Sequence, residues 1–176
     1  MPRMKPDYLN AFLRQPFVGV LATLRRDGRP YTVPVWWLLH EGSFWISGTY
    51  ERVWCKQLAH DPRASLCIEA MPESVSNAGF AGHVGIDGLV TRRELPNFDI
   101  WPISRMLVEK YIGLGEPARR DKGESFFANM QTEHRLLFEL VPRVRRAIDM
   151  RVYRGKRGDR DYQARTGQTP GDRTLD

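Results

Sequence analysis

Between residues 17 and 70, three apolar runs stand close together, separated only by tight-turn signals. Phe17–Leu24 runs into Arg25-Arg26-Asp27-Gly28, Arg29–Leu39 runs into His40-Glu41-Gly42, and Ser43–Ser47 follows at once. A parallel pair needs a crossover of a dozen or more residues, so connections this short force antiparallel pairing. Asp27-Gly28 supplies the backbone freedom that a hairpin turn demands. Phe17–Leu24 shows no alternation, so burial of both its faces is expected. Pro34 sits in the middle of the second run and cannot donate to a ladder, which implies an edge, a bulge or a gap there.

After the third run the pattern changes. Thr49 reads as an N-cap and residues 50–60 as the helix it opens, with Val53, Trp54 and Leu58 on one stripe and Asp61-Pro62 as the stop. Arg63–Ala70 is a fourth strand, with Ala64, Leu66 and Ile68 on one side. His83–Leu95 reads as a longer strand interrupted at Asp87-Gly88. Asp7–Leu13 and Asp99–Leu114 carry helical spacing, and Ser125–Thr132 has room for one or two helical turns. Leu136–Val141 and Val144–Val152 are expected as two final strands around Pro142-Arg143. The whole is a mainly β (α+β) chain of about six to seven strands with flanking helices, and its regular hairpin spacing favours a closed antiparallel barrel over a parallel sheet.

Length and charge bound the organisation. A chain of 176 residues with 41% hydrophobic content supports one folded domain. We expect it over residues 1–154. The net charge of +6 is concentrated: residues 143–165 hold nine basic and three acidic side chains, and the remainder is neutral. The body is therefore not a nucleic-acid grip. Residues 155–176 are basic, polar and poor in apolar groups, so they are expected to be disordered or to ride on a partner surface. No apolar run is long enough to span a bilayer, and the N-terminus has no secretory h-region. Cys55 and Cys67 lack metal-ligand spacing, which suits reduced thiols and a cytoplasmic location.

Two constellations carry chemistry. Arg52 and Lys56 lie four apart on one helix face, close behind Thr49 at the positive helix end, a combination suited to a phosphate. An ordinary capped helix with two solvated cations would have the same local sequence. Four of the five tryptophans, Trp36, Trp37, Trp45 and Trp54, fall within 19 residues around this anion site. A planar ligand needs aromatic walls of this kind, and a Trp-rich core would also explain them. His40, His60, His83 and His134 show no metal or triad spacing. No catalytic acid, base or nucleophile stands out.

The pattern A-T-L-R-x-D-G-R-P-x-x-x-P-V-W, then I-S-x-T-x-x-R-x-x-x-K-x-L-x-x-D-P-R-x-S-L, resembles the pyridoxamine 5′-phosphate oxidase-like superfamily of split β-barrels. The branch it is most similar to contains FMN- and deazaflavin-dependent oxidoreductases. The resemblance covers about residues 10–150. It implies a homodimer with cofactors in clefts at the interface and hydride transfer to or from a small conjugated substrate. It also implies that Thr49, Arg52 and Lys56 hold the phosphate, that the backbone at Pro34, Val35 and Trp36 faces the ring, and that Ser47 belongs to the cofactor-binding set. Many members carry an adjacent basic pair where this chain has Arg52-Val53, and Gln57 stands where Asn is common. FMN and coenzyme F-420 both offer a tricyclic ring and a phosphate. The Arg-rich C-terminal region favours the deazaflavin, whose tail is anionic. The alternatives are a non-catalytic cofactor-binding protein on the same fold and a nucleic-acid module that uses the basic tail.

Overall fold

The computed structural model describes residues 2–70 and 79–153. Within them, α1 (Pro6–Arg14) leads into β1 (Gly19–Leu24), β2 (Pro30–Val35), β3 (Trp37–His40) and β4 (Ser43–Thr49). Then come α2 (Val53–His60), β5 (Arg63–Ala70), β6 (Gly82–Arg93), α3 (Trp101–Tyr111), α4 (Arg120–Met130) and β7 (Arg135–Asp149), closed by a 3-10 turn. The seven strands form one antiparallel sheet in the order β2-β1-β5-β6-β7-β4-β3.

That order explains the shape. β2 and β3 lie at opposite ends of the sheet, yet only Trp36 separates them in the chain. The sheet must therefore curl until its two edges meet, and the split falls at Trp36. Backbone groups released at such a split still need partners. Tyr111, the last residue of α3, supplies them: its hydroxyl accepts from Trp37 N–H at 3.1 Å and lies 3.0 Å from the Phe17 carbonyl. The Trp37 indole donates to the same Phe17 carbonyl at 2.7 Å. Burial holds the Tyr111 phenol well above its usual pKa, so it keeps its proton at any physiological pH.

Pro34 lies opposite Val20 on β2, and β2 pairs with β1 alone, so of the three options at this proline the edge strand is the one adopted. The break at Asp87-Gly88 is a register shift in the β6–β7 ladder, with Gly88 opposite Pro142. A Cβ at Gly88 would lie 2.1 Å from the Val141 carbonyl, so only glycine allows the close approach.

Several expectations change. The two final strands are one 15-residue strand, because Pro142 falls at the bulge, where its missing N–H interrupts nothing. The short helix expected near Ser125 extends over three turns from Arg120. The run Phe17–Leu24 is not buried on both faces: Val18 and Val20 are 49% and 46% exposed, because the outer face of the sheet is open in a single chain. Thr49 is not an N-cap. Its ladder with Arg135 keeps β4 extended through Thr49, Tyr50 N–H continues to the His134 carbonyl, and the helix starts only at Val53 with Arg52 at the cap position. Everything from residue 154 onward lies outside the described residues, as does the loop 71–78.

The main core fills the curl. Leu21, Trp37, Ile46, Leu66, Ile68, Ile86 and Phe138 are fully buried there. Burying an apolar side chain of this size contributes about 1.5–3 kcal/mol. A second cluster (Trp45, Ile100, Ile103, Leu107, Leu137) binds α3 to the outside of the sheet. A third, smaller one (Val108, Leu114, Met130) binds α4 to α3.

Candidate functional site

The split, the start of α2 and the α3–α4 pair enclose a cleft of about 410 Å³. Its strand wall is Val18, Pro34, Val35, Trp36 and Ser47, and its roof is Leu107, Val108, Phe126 and Met130. Arg52, Trp54 and Arg135 also line it. The volume falls in the range of small-molecule sites, about 300–1,000 Å³, and mostly apolar walls with a few polar groups are what such sites use.

Each wall is placed by identifiable chemistry. Gly48 lets α2 lie directly on β4: a Cβ there would meet the Trp54 ring at 2.5 Å and the Cys55 sulfur at 2.6 Å. Gln57 ties the same helix to β1 by accepting from the buried Thr23 hydroxyl at 2.6 Å, a structural role for the residue that departs from the family pattern. This fixes Arg52 at the cleft. The roof is set by aromatic contacts. Trp36 stacks flat on Tyr111 at 4.8 Å, and Phe126 approaches it from α4 at 5.5 Å.

Of the residues singled out in the sequence, Pro34, Val35, Trp36, Ser47 and Arg52 come together on the cleft. Thr49 lies one turn away, where its carbonyl accepts from Arg52 N–H at 3.0 Å. Lys56 is not brought to the lining: it faces Glu51 at 3.1 Å with more than half its side chain exposed. The tryptophans divide equally. Trp36 and Trp54 line the cleft, whereas Trp37 belongs to the main core and Trp45 stacks on Phe98 in the second cluster. The Phe80 ring packs among Tyr8, Phe12 and Phe17, away from the cleft lining.

Sequence reasoning missed Arg135. It opens β7, lies across the ladder from Thr49, and lines the cleft with its side chain only 14% exposed. Its Nη2 pairs with Glu133 at 2.5 Å. A buried arginine at a strand start carries no local motif, so only the register reveals it. Three polar atoms on the lining are buried without a hydrogen-bond partner among the described residues: Ser47 Oγ, Trp54 Nε1 and Arg135 Nε. Groups of this kind are normally satisfied, so their convergence on one cavity marks where a ligand's acceptors would sit. Behind them, burial pushes the Cys55 thiol up to about 12, while the charges of Arg52, Arg135 and Arg92 pull weakly the other way. Cys55 is therefore not a thiolate nucleophile.

The fold and site define a class: a curled antiparallel sheet, open at one split, with an apolar cleft that ends in arginines. The chain belongs to the pyridoxamine 5′-phosphate oxidase family, whose model matches residues 6–136. Solved structures share the fold. A conserved hypothetical protein of Mycobacterium tuberculosis is 21% identical, covering 84% of this chain and 86% of that one, with a TM-score of 0.65. An F-420 reductase is 19% identical over 77% of this chain and 94% of its own, TM-score 0.55. The haem storage protein HutZ of Vibrio cholerae is 16% identical over 81% and 92%, TM-score 0.59. No curated protein matches the sequence. The family includes oxidoreductases, and the same fold also serves haem storage.

Proposed function

We propose that the protein is a flavin-type oxidoreductase that holds FMN or the deazaflavin coenzyme F-420 in the cleft beneath α3 and α4. One observation carries this reading: an apolar, aromatic-walled cleft runs from Pro34, Val35 and Trp36 to the exposed Arg52 and three buried, unpartnered polar atoms. The ring would lie along Pro34, Val35 and Trp36, and the phosphate would lie at Arg52, with Ser47 and Trp54 donating to it or to the chain that leads to it. When bound, the cofactor supplies the hydride exchange. The protein's own residues bind it, orient it and exclude water, the division of labour usual in cofactor-driven reactions. Among the described residues the titratable side chains on the lining are two arginines, which stay protonated, so no proton shuttle is assigned to them.

The outer face of the sheet supports a homodimer. Val20, Cys67 and Gly85 are neighbours in register across β1, β5 and β6, and nothing lies within 4 Å of where a Gly85 Cβ would project. Val18 joins this face to the cleft rim. A second copy docked here would bury the exposed valines and close the cleft's open side. Both thiols are free, which suits the cytoplasmic location we propose, and no described helix is long and apolar enough to cross a membrane. The deazaflavin stays the favoured of the two cofactors on the strength of the Arg-rich C-terminal region.

A non-catalytic cofactor carrier is the second reading, favoured by a lining that holds no carboxylate or histidine among the described residues. The absorption spectrum of protein purified from its own source tests the class. A flavin band in the blue or a deazaflavin band in the violet is expected, and a haem band would contradict the proposal.

A further inference from the structure

We infer that the second cation of the anion seat is Arg135 of β7, and that Lys56 of α2 takes no part in it. The inference rests on the proposed cofactor reading and names the residue that reading lacks. Resemblance and helix spacing both point to Lys56. The geometry points elsewhere. Lys56 is exposed, paired with Glu51, and absent from the lining. Arg135 lines the cleft, is nearly buried, and keeps an Nε that no described group satisfies.

The ladder explains how a residue more than eighty positions away arrives beside Arg52. Thr49 is opposite Arg135 in the β4–β7 pairing, and the Thr49 carbonyl receives Arg52 N–H. The three residues are thus one turn and one rung apart. Arg52 and Arg135 both line the cleft. Arg92 pairs with Glu94 at 2.5 Å and also keeps an unpartnered Nε, but it is not on the cleft lining. Glu133 holds Arg135 through Nη2 only, so it orients the planar fork while Nε stays open to an oxygen. The ligand group that fits is a tetrahedral oxyanion, a phosphate monoester: Arg52 and Arg135 supply charge, and Ser47 Oγ and Trp54 Nε1 supply neutral donors. Glu133 is also the nearest opposing charge, so its removal should strengthen the seat.

The test is a fluorescence titration of the full chain with FMN, with riboflavin as the ring without a phosphate. Arg135→Ala should weaken FMN about ten- to a hundredfold, the loss expected for one charge-assisted hydrogen bond, and leave riboflavin unchanged, which also shows that the cleft is intact. Arg135→Lys should recover part of the loss. Glu133→Gln should tighten FMN, and Lys56→Ala should leave it as in the parent. The inference is overturned if Lys56→Ala weakens FMN while Arg135→Ala and Arg135→Lys do not, or if riboflavin falls as far as FMN. Should the parent bind neither FMN nor F-420, the cofactor reading fails but the seat is still testable with inorganic phosphate. A thermal shift with phosphate in the parent that Arg135→Ala removes supports the seat, and one that it leaves intact, or no shift in the parent, rejects it.

Discussion

The two walls of the cleft are built differently. The strand wall, from Pro34 to Trp36 with Ser47 and Arg52, is held by ladders and by a helix pressed onto β4 at Gly48. The roof of α3 and α4 rests on the sheet through side chains: Leu107, the Trp36–Tyr111 stack and the Phe126 contact. Its visible ion pair, Arg105 with Glu124, is half exposed and adds little. A wall held by backbone bonds does not depend on any one side chain, whereas a roof held by aromatic contacts can be loosened one residue at a time. We therefore assign cofactor position to the strand wall and cofactor enclosure to the roof.

The largest expected effect breaks the strand wall. Gly48→Ala would put a methyl within 2.7 Å of Trp54 and Cys55, both buried. Overpacking of this kind costs about 1–3 kcal/mol. Thermal unfolding should show the loss, and FMN binding should fall with it because Arg52 moves. Full stability in Gly48→Ala would mean that α2 is not seated as described. Tyr111→Phe cuts the joint between wall and roof. It leaves Trp37 N–H without its partner, at a cost of about 1–3 kcal/mol by denaturant titration. A change below a few tenths would show that the split is satisfied some other way.

These joints also mark the limits of sequence reading. The strand wall was legible because its signals are local: hairpin turns, a proline on an edge strand, and Arg52 behind the apolar run of β4. The anion end was half legible. Thr49 looked like a cap because a threonine before a helical stripe usually is one, yet the β4–β7 ladder holds the chain extended and moves the helix start to Val53. Lys56 looked like a ligand because four residues bring two side chains to one helix face, but its amine lies beside Glu51 in solvent and off the cleft lining. Arg135 and the roof were illegible. Leu107, Val108, Phe126 and Met130 carry only an amphipathic pattern, and which surface they cover depends on pairings more than sixty residues away.

A smaller effect sharpens the comparison through pH. Lys110 sits 3.2 Å from the centre of the Trp37 ring and donates to the Leu13 carbonyl, tying α3 to α1. Burial brings its amine from 10.5 down to about 7. Between those values the unfolded chain binds a proton that the folded chain does not, so this group makes stability rise with pH from about 7 to about 10. Lys110→Met should be most favourable relative to the parent at pH 6, and that advantage should shrink steadily toward pH 10. A parent–variant difference flat across this range would show that the amine is not held down by burial. The smallest stability effect is expected at Phe126→Ala. The ring is already 37% exposed, so unfolding should shift by less than about 1 kcal/mol, while cofactor fluorescence should report a wetter ring.

The central claim is that the cleft takes a flavin-type cofactor with its phosphate against Arg52. Titration of the parent and of Arg52→Ala with FMN and with F-420 tests it most directly. We predict that at least one of the two binds the parent more tightly than roughly 100 μM, about −5.5 kcal/mol, and that Arg52→Ala weakens it about ten- to a hundredfold without loss of folding. Binding of neither cofactor to the parent within that limit, or equal affinity in Arg52→Ala, would contradict the account.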